Sequence, residues 1–317
     1  MAEKTLLFPD VDLNATDAMF LDALGAESER LLNRHDDSPR EFFPSDVIDQ
    51  MEEAIRLGDK PGALVSPEEA IAEEVKSSLY VNYITEEGLP YYTSAIDRNL
   101  PKKHPFRDWL NTWTAEEGRH GPSIVNFLHF SRQFDMHVLE RARMAMMKRP
   151  DTPQPDSFVE GIIYPAFQEP ATEVSHRNTM RLLPRAHKIG KNMLANVIGD
   201  EVKHGLFYRG ITASALEYKP SLVMVGIARQ INGFAMPGKS IPGFKEHKET
   251  IRKAGIFGPV QLKAIYDEML TEKWNIWNIS GLDENGEKAR DFLAEYLRKM
   301  GKAIEWAAQK QASKAAV

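Results

Sequence analysis

The sequence predicts an all-α protein: a four-helix bundle around buried carboxylates, extended by additional helices. Three observations lead there. Apolar residues recur at helical spacing along most of the chain, and no segment keeps the period-2 alternation of a half-buried strand. Two Glu-x-x-His strings, Glu117-Gly118-Arg119-His120 and Glu201-Val202-Lys203-His204, lie on such stripes. Each follows a lone acid, Glu86 or Glu169, by 31 or 32 residues, so the two sets repeat with an offset of 83–84 residues.

In chain order, the first helix is expected over about 15–33. A loop with Pro39 and Pro44 separates it from a short helix near 45–57. Ser66-Pro67-Glu68-Glu69 reads as a helix start, with Ser66 as cap and Glu69 closing a capping box. That helix is expected to run to about 99, kinked at Pro90 just beyond Glu86. Further helices fit about 105–131, 135–148, 156–183, 186–217 and 221–235. Gly238, Pro242 and Gly243 make the next break, and helices near 244–254, 259–274 and 285–309 complete the chain. The 317 residues are read as one domain, with core helices over about 66–217 and a helical extension over about 218–310.

Composition narrows the chemistry. The net charge of −6 argues against nucleic acid as the main partner. No cysteine is present, so neither disulfides nor thiolate metal sites are expected. No Gly-x-Gly-x-x-Gly string suggests a nicotinamide or flavin domain, so redox work would draw its electrons from another protein. No apolar run is long enough for a signal peptide or membrane span, and a cytoplasmic location is expected.

The acids and histidines fall on core-facing lines. Val75, Leu79, Tyr83 and Glu86 share one face, as do Trp109, Trp113, Glu117, His120, Ile124 and Phe127. The same holds for Phe158, Ile162, Pro165, Glu169, Thr172 and His176, and for Leu194, Val197, Glu201, His204, Tyr208 and Ile211. An ionised Glu on a core stripe is costly unless paired or bound to metal. Two divalent cations would neutralise four such carboxylates. Two lone Glu and two Glu-x-x-His motifs on four helices form the ligand set of a ferritin-like di-iron or di-manganese bundle. Carboxylate and imidazole donors suit iron or manganese better than a closed zinc site. With 28 Glu and 9 His, about one Glu-x-x-His arises by chance, so the signal lies in the evenly offset pair. A third string, Glu173 to His176, lacks an upstream acid at that spacing and is read as a decoy, with His176 as a neighbour of the ligands.

At these residues the chain resembles the soluble acyl-acyl-carrier-protein desaturases, from about Phe42 to Phe244. Four blocks carry the likeness. Thr85-Glu86-Glu87-Gly88-Leu89-Pro90 matches the first ligand helix, and Trp113 to Gly121 resembles WTAEENRHG. Phe167 to Thr172, continuing over Ser175 to Thr179, resembles FQERAT with SHxNT, and Asp200 to His204 resembles DEKRH.

The resemblance implies two iron ions per chain, with manganese as the other metal considered. Glu86, Glu117 and His120 would hold one with help from Glu201. Glu169, Glu201 and His204 would hold the other with help from Glu117. Thr172 would stand beside the oxygen site, and Asp200 would orient a ligand histidine. The implied reaction places a cis double bond in an acyl chain carried on acyl carrier protein, using dioxygen and two electrons from a ferredoxin-like donor. Family members are homodimers. Departures are Gly118 for Asn, Pro170 for the Arg after Glu169, Gly205 for the Glu after His204, and no Trp before Trp109.

Acyl carrier protein is acidic, so a basic rim is expected. The segment 239–253 supplies Lys239, Lys245, Lys248, Arg252 and Lys253 against Glu246 and Glu249, and Lys102 and Lys103 form a second cluster. The alternatives are another ferritin-like oxygenase, a metal store, or a member that binds carrier protein without catalysis.

Overall fold

Helix follows helix in the computed structural model, which describes residues 11–39, 41–58 and 70–315 and holds no strand among them. The helices are α1 Ala18–Asp36, α2 Pro44–Arg56, α3 Glu73–Glu86, α4 Leu89–Asp97, α5 Phe106–Glu117, α6 His120–Ser131 and α7 Met136–Lys148. They continue with α8 Phe158–Leu182, α9 Lys188–Tyr218, α10 Pro220–Gly233, α11 Phe244–Lys253, α12 Pro259–Asp267 and α13 Glu284–Ala315. The Ser66 helix start lies outside the described residues. The described chain enters α3 at Glu73.

Three expected helices are divided. The helix expected to reach 99 stops at Glu86, and α4 begins after the turn at Glu87 and Gly88. Pro90 explains this: it has no N–H, and it is accepted in the first turn of a new helix. The helix expected over 105–131 breaks at Gly118 and Arg119, inside the first Glu-x-x-His motif. Pro122 cannot donate to the carbonyl of Gly118, so the hydrogen-bond ladder is interrupted there. The helix expected over 259–274 is α-helical only to Asp267 and continues as a π-helical turn, Glu268–Lys273.

The long α8 and α9 pack side by side, and α3 and α6 close the bundle against them. Apolar packing forms two clusters. One gathers Trp109, Phe167, Phe207 and Tyr208 with side chains of α10, α12 and α13. The other gathers Val75, Leu79, Ile84, Phe127 and Val197. α8 and α9 contribute to both, and their acids and histidines lie between the two. The polar belt is thereby walled from water at both ends, as a charged site in a helical core requires.

Candidate metal centre

Each element delivers its acid by a different local device. Glu86 is the last residue of α3. Its neighbour Glu87 turns outward and pairs with Arg143 of α7. Glu117 ends α5 and His120 opens α6, whereas Glu201 and His204 sit one turn apart in the unbroken α9. Glu169 stands mid-way along α8, fully buried, with Trp113 Nε1 donating to its Oε1 at 3.1 Å.

The structure brings all six sequence-predicted ligands into two overlapping clusters able to hold metal. Glu86, Glu117, His120 and Glu201 offer atoms within 4.8 Å of one another, and so do Glu117, Glu169, Glu201 and His204. Glu117 and Glu201 belong to both.

The imidazoles show which nitrogen is on offer. Asp200 Oδ2 lies 3.1 Å from His120 Nε2, and Glu116 Oε2 lies 2.8 Å from His204 Nε2. A carboxylate beside Nε2 engages that nitrogen and leaves Nδ1 facing the acids, at 2.9 Å from Glu117 Oε1 in His204, where it could ligate an ion on losing its proton. Glu169 Oε2 and Glu201 Oε1 are buried without hydrogen-bond partners among the described residues, and His120 Nδ1 lies 3.2 Å from Glu117 Oε2. Buried acceptors left open in this way, clustered among acids and histidines, fit a site for an ion. Donor set, burial and orphaned atoms all fit a pair of divalent cations.

Electrostatics agree. Burial works against ionising Glu117, yet the charge of His120 and bonds from both histidines hold its carboxyl far below the usual range. Burial, then the charge of Glu117, push Glu169 and Glu201 upward. Burial alone would depress both histidines, but Glu117 acting on His120, and Glu116 on His204, raise them. These directions are what four buried acids and two histidines give when no metal charge balances them.

His176, read as a decoy partner, lies 3.4 Å from Glu86 through Nε2. Its Nδ1 faces the Asn82 amide nitrogen at 3.3 Å, and Ser175 donates to the Asn82 oxygen at 3.3 Å, which fixes the amide. The His176 acceptor is thus engaged and its N–H is left for Glu86. Thr172 places its hydroxyl 2.8 Å from Glu201 Oε2 and 2.9 Å from the Glu169 carbonyl, with one proton for either. Glu116 and His35 were missed by the sequence reading. Glu116 Oε1 lies 3.1 Å from His35 Nε2, which extends the chain from His204 outward. The available signal was symmetry: Glu116 precedes its motif as Asp200 precedes the other.

An apolar slot lies against Trp113, one side chain away from Glu169. Tyr92, Ala95, Ile96, Trp113, Gly161 and Gln168 are among its walls. It shares Pro153, Pro155 and Tyr164 with a wider cavity of about 270 Å³ that Arg229 and Lys239 also line. Of the basic segment, only Lys239 reaches this cavity. Arg252 and Lys253 pair with Glu249 on α11 at 2.8 Å and 3.6 Å, and Lys248 lies over Phe244. Among the described residues no helix is long and apolar enough to cross a membrane.

Fold and site together define a helical-bundle protein with a buried carboxylate–histidine centre able to hold metal. The chain belongs to the fatty acid desaturase family, whose sequence profile it matches over residues 20–317, and it is accordingly an oxidoreductase.

DesA1 of Mycobacterium tuberculosis H37Rv, named as an acyl-[acyl-carrier-protein] desaturase, is 28% identical over 92% of this chain and 88% of its own. The chloroplastic palmitoyl-[acyl-carrier-protein] 4-desaturase of Coriandrum sativum is 27% identical over 84% of this chain and 72% of that protein. The chloroplastic stearoyl-[acyl-carrier-protein] 9-desaturase 1 of Oryza sativa subsp. japonica is 28% identical over 84% and 73%. The X-ray structure of DesA2 from M. tuberculosis H37Rv shares the fold, with a TM-score of 0.59 and 23% identity over 86% of this chain and 99% of that one.

Proposed function

We propose that this chain desaturates an acyl group presented on acyl carrier protein, with iron at Glu86, Glu117, His120, Glu169, Glu201 and His204. One observation carries the reading: Trp113 lines the apolar slot and donates its indole N–H to Glu169. The same side chain therefore borders the path for an acyl chain and the candidate metal ligands. The relatives' names supply the carrier-protein form of the substrate.

When bound, the metal pair supplies dioxygen activation. Across the whole reaction two neighbouring methylenes lose one hydrogen each, dioxygen takes up four electrons and four protons, and the products are a cis alkene and two waters. An external ferredoxin-like protein provides two of those electrons and solvent two of the protons. The protein's own work is positioning. The slot holds one carbon–carbon bond beside the centre, and the two apolar clusters exclude water. Asp200 and Glu116 hold the imidazoles, and Thr172 offers a hydroxyl at Glu201. Lys239 at the wide cavity supports carrier-protein docking at that mouth, with Lys245 and Lys248 on α11 as the adjoining basic surface. Single-domain organisation, assembly as a homodimer and a cytoplasmic location complete the reading.

The test is iron content after anaerobic loading, followed by turnover of stearoyl- and palmitoyl-carrier protein with a reducing system. Two irons per chain and a monounsaturated product are expected. Iron-free protein, or two irons with no alkene from any saturated acyl carrier, would sink the reading.

A further inference from the structure

A third cavity, of about 130 Å³, flanks the centre on its other side. It shares no lining residue with the slot or the wider cavity. α8 shows the separation directly. A helix turns ~100° per residue, so Gln168 faces the slot, Glu169 faces the belt, and Pro170 and Glu173 line the third cavity. Glu201, shared by both metal-holding clusters, also lines it.

Two sequence departures make this space. A Cβ on Gly205 would stand 3.6 Å from Glu169 Cβ and 3.8 Å from Pro170 Cδ, so positions 170 and 205 face each other. The motifs this chain resembles carry Arg and Glu there, long side chains able to pair and fill the gap. Proline and glycine leave it open. Across from them the π-helical turn presents Glu268 and Met269. Such turns often sit at functional sites. Val202, Leu206 and Ile265 add apolar wall, and Arg209 joins Glu173, Glu201 and Glu268 as a charged part of the lining. The rim acids already have partners, Glu173 in Arg177 and Glu268 in Lys273.

The geometry points to a second entrance to the centre: a route for dioxygen, small, uncharged and poorly hydrated, that bypasses the acyl slot. It rests on the reading of Glu201 as a metal ligand. An acyl chain lying in the slot closes that approach, whereas the Pro170–Gly205 cavity keeps its own wall against Glu201.

Xenon reports small-gas cavities lined by apolar groups. A crystal of the metal-free protein pressurised with xenon should show it between Pro170, Gly205 and Met269, and Gly205→Leu should abolish that site. Reduced, iron-loaded protein saturated with stearoyl-carrier protein is then mixed with dissolved dioxygen, and the optical change is followed. Gly205→Leu should slow it several-fold at unchanged iron content. Leu206→Trp, at an exposed rim position, should do the same if the first variant fails to fold. No xenon in this cavity, or an unchanged oxidation rate in a variant that has lost it, overturns the proposal. Xenon bound by a wild type that takes up no iron overturns the oxygen role through the metal reading and leaves the cavity itself standing.

Discussion

Glu116 Oε2 lies 2.8 Å from the outer nitrogen of His204, although 88 residues separate them. Asp200 holds His120 in the same way at 3.1 Å. In each motif the residue just before the Glu orients the histidine of the other motif. The two halves of the site thus fix each other. Glu116→Ala should lower ferrous-ion affinity about 10–100-fold, the usual cost of losing such a support. Anaerobic titration checks this, and circular dichroism should be unchanged. Wild-type affinity would remove the orienting role.

Thr172 is the hydroxyl nearest the shared carboxylate Glu201. Thr172→Val keeps its shape and removes its proton. Iron content should hold while turnover falls about tenfold or more, since a hydrogen bond to a charged group is worth about 1.5–3 kcal/mol. Equal turnover would leave Thr172 a packing residue.

On the proposed reading, the size of the slot sets which acyl chains fit. A Cβ on Gly161 would meet only Pro155, at 4.0 Å. Gly161→Phe should fill that space and shift products toward shorter acyl chains, each excluded methylene forfeiting about 0.8 kcal/mol of burial. Chain-length profiles from mixed carrier-protein substrates provide the check. An unshifted profile would move the acyl path elsewhere.

Gly190 is required by close packing. Its Cβ would fall 2.5 Å from Phe127 Cζ and 3.0 Å from Leu183 Cδ2. Phe127 is fully buried, so the ring cannot swing into water. Gly190→Ala should destabilise the metal-free protein by about 1–3 kcal/mol, read from the urea midpoint. A midpoint at or above wild type would show that α9 can shift freely against α6.

His104 ties α1 to the start of α5. Its Nε2 faces the Leu21 carbonyl at 2.9 Å, and its Nδ1 accepts from the Phe106 N–H at 3.2 Å, so the ring is neutral with its proton on Nε2. Burial keeps its pKa below the ordinary 6.5, helped by Arg107 and opposed by the Leu21 carbonyl and Asp22. A depressed folded value means the unfolded chain takes the proton first. The stabilisation is therefore complete above about pH 6.5 and is lost as pH falls through the lowered folded value. Urea midpoints between about pH 7.5 and 5 should fall less for His104→Gln than for wild type. Parallel curves would show that His104 does not couple to folding.

Much of the site was legible because its signal is local. Acids and histidines on an apolar stripe must face the core, so Glu86, Glu117, His120, Glu169, Glu201 and His204 could be named from spacing alone. Helix existence was legible for the same reason. The breaks at Glu87–Gly88 and Gly118–Arg119 were less so. Pro90 was read as a kink rather than a start, and the donor missing at Pro122 was passed over.

The sequence by itself determined an all-helical chain, its family and six candidate ligands, because a 3.6-residue period and short motifs are properties of neighbouring residues. Only the tertiary structure decided that Glu116 serves His204, that Asn82 occupies His176, and that Pro170 faces Gly205 across a cavity reaching Glu201. Each of these depends on how two distant helices pack, and the distance between side chains on separate helices is written in no local stretch of the chain.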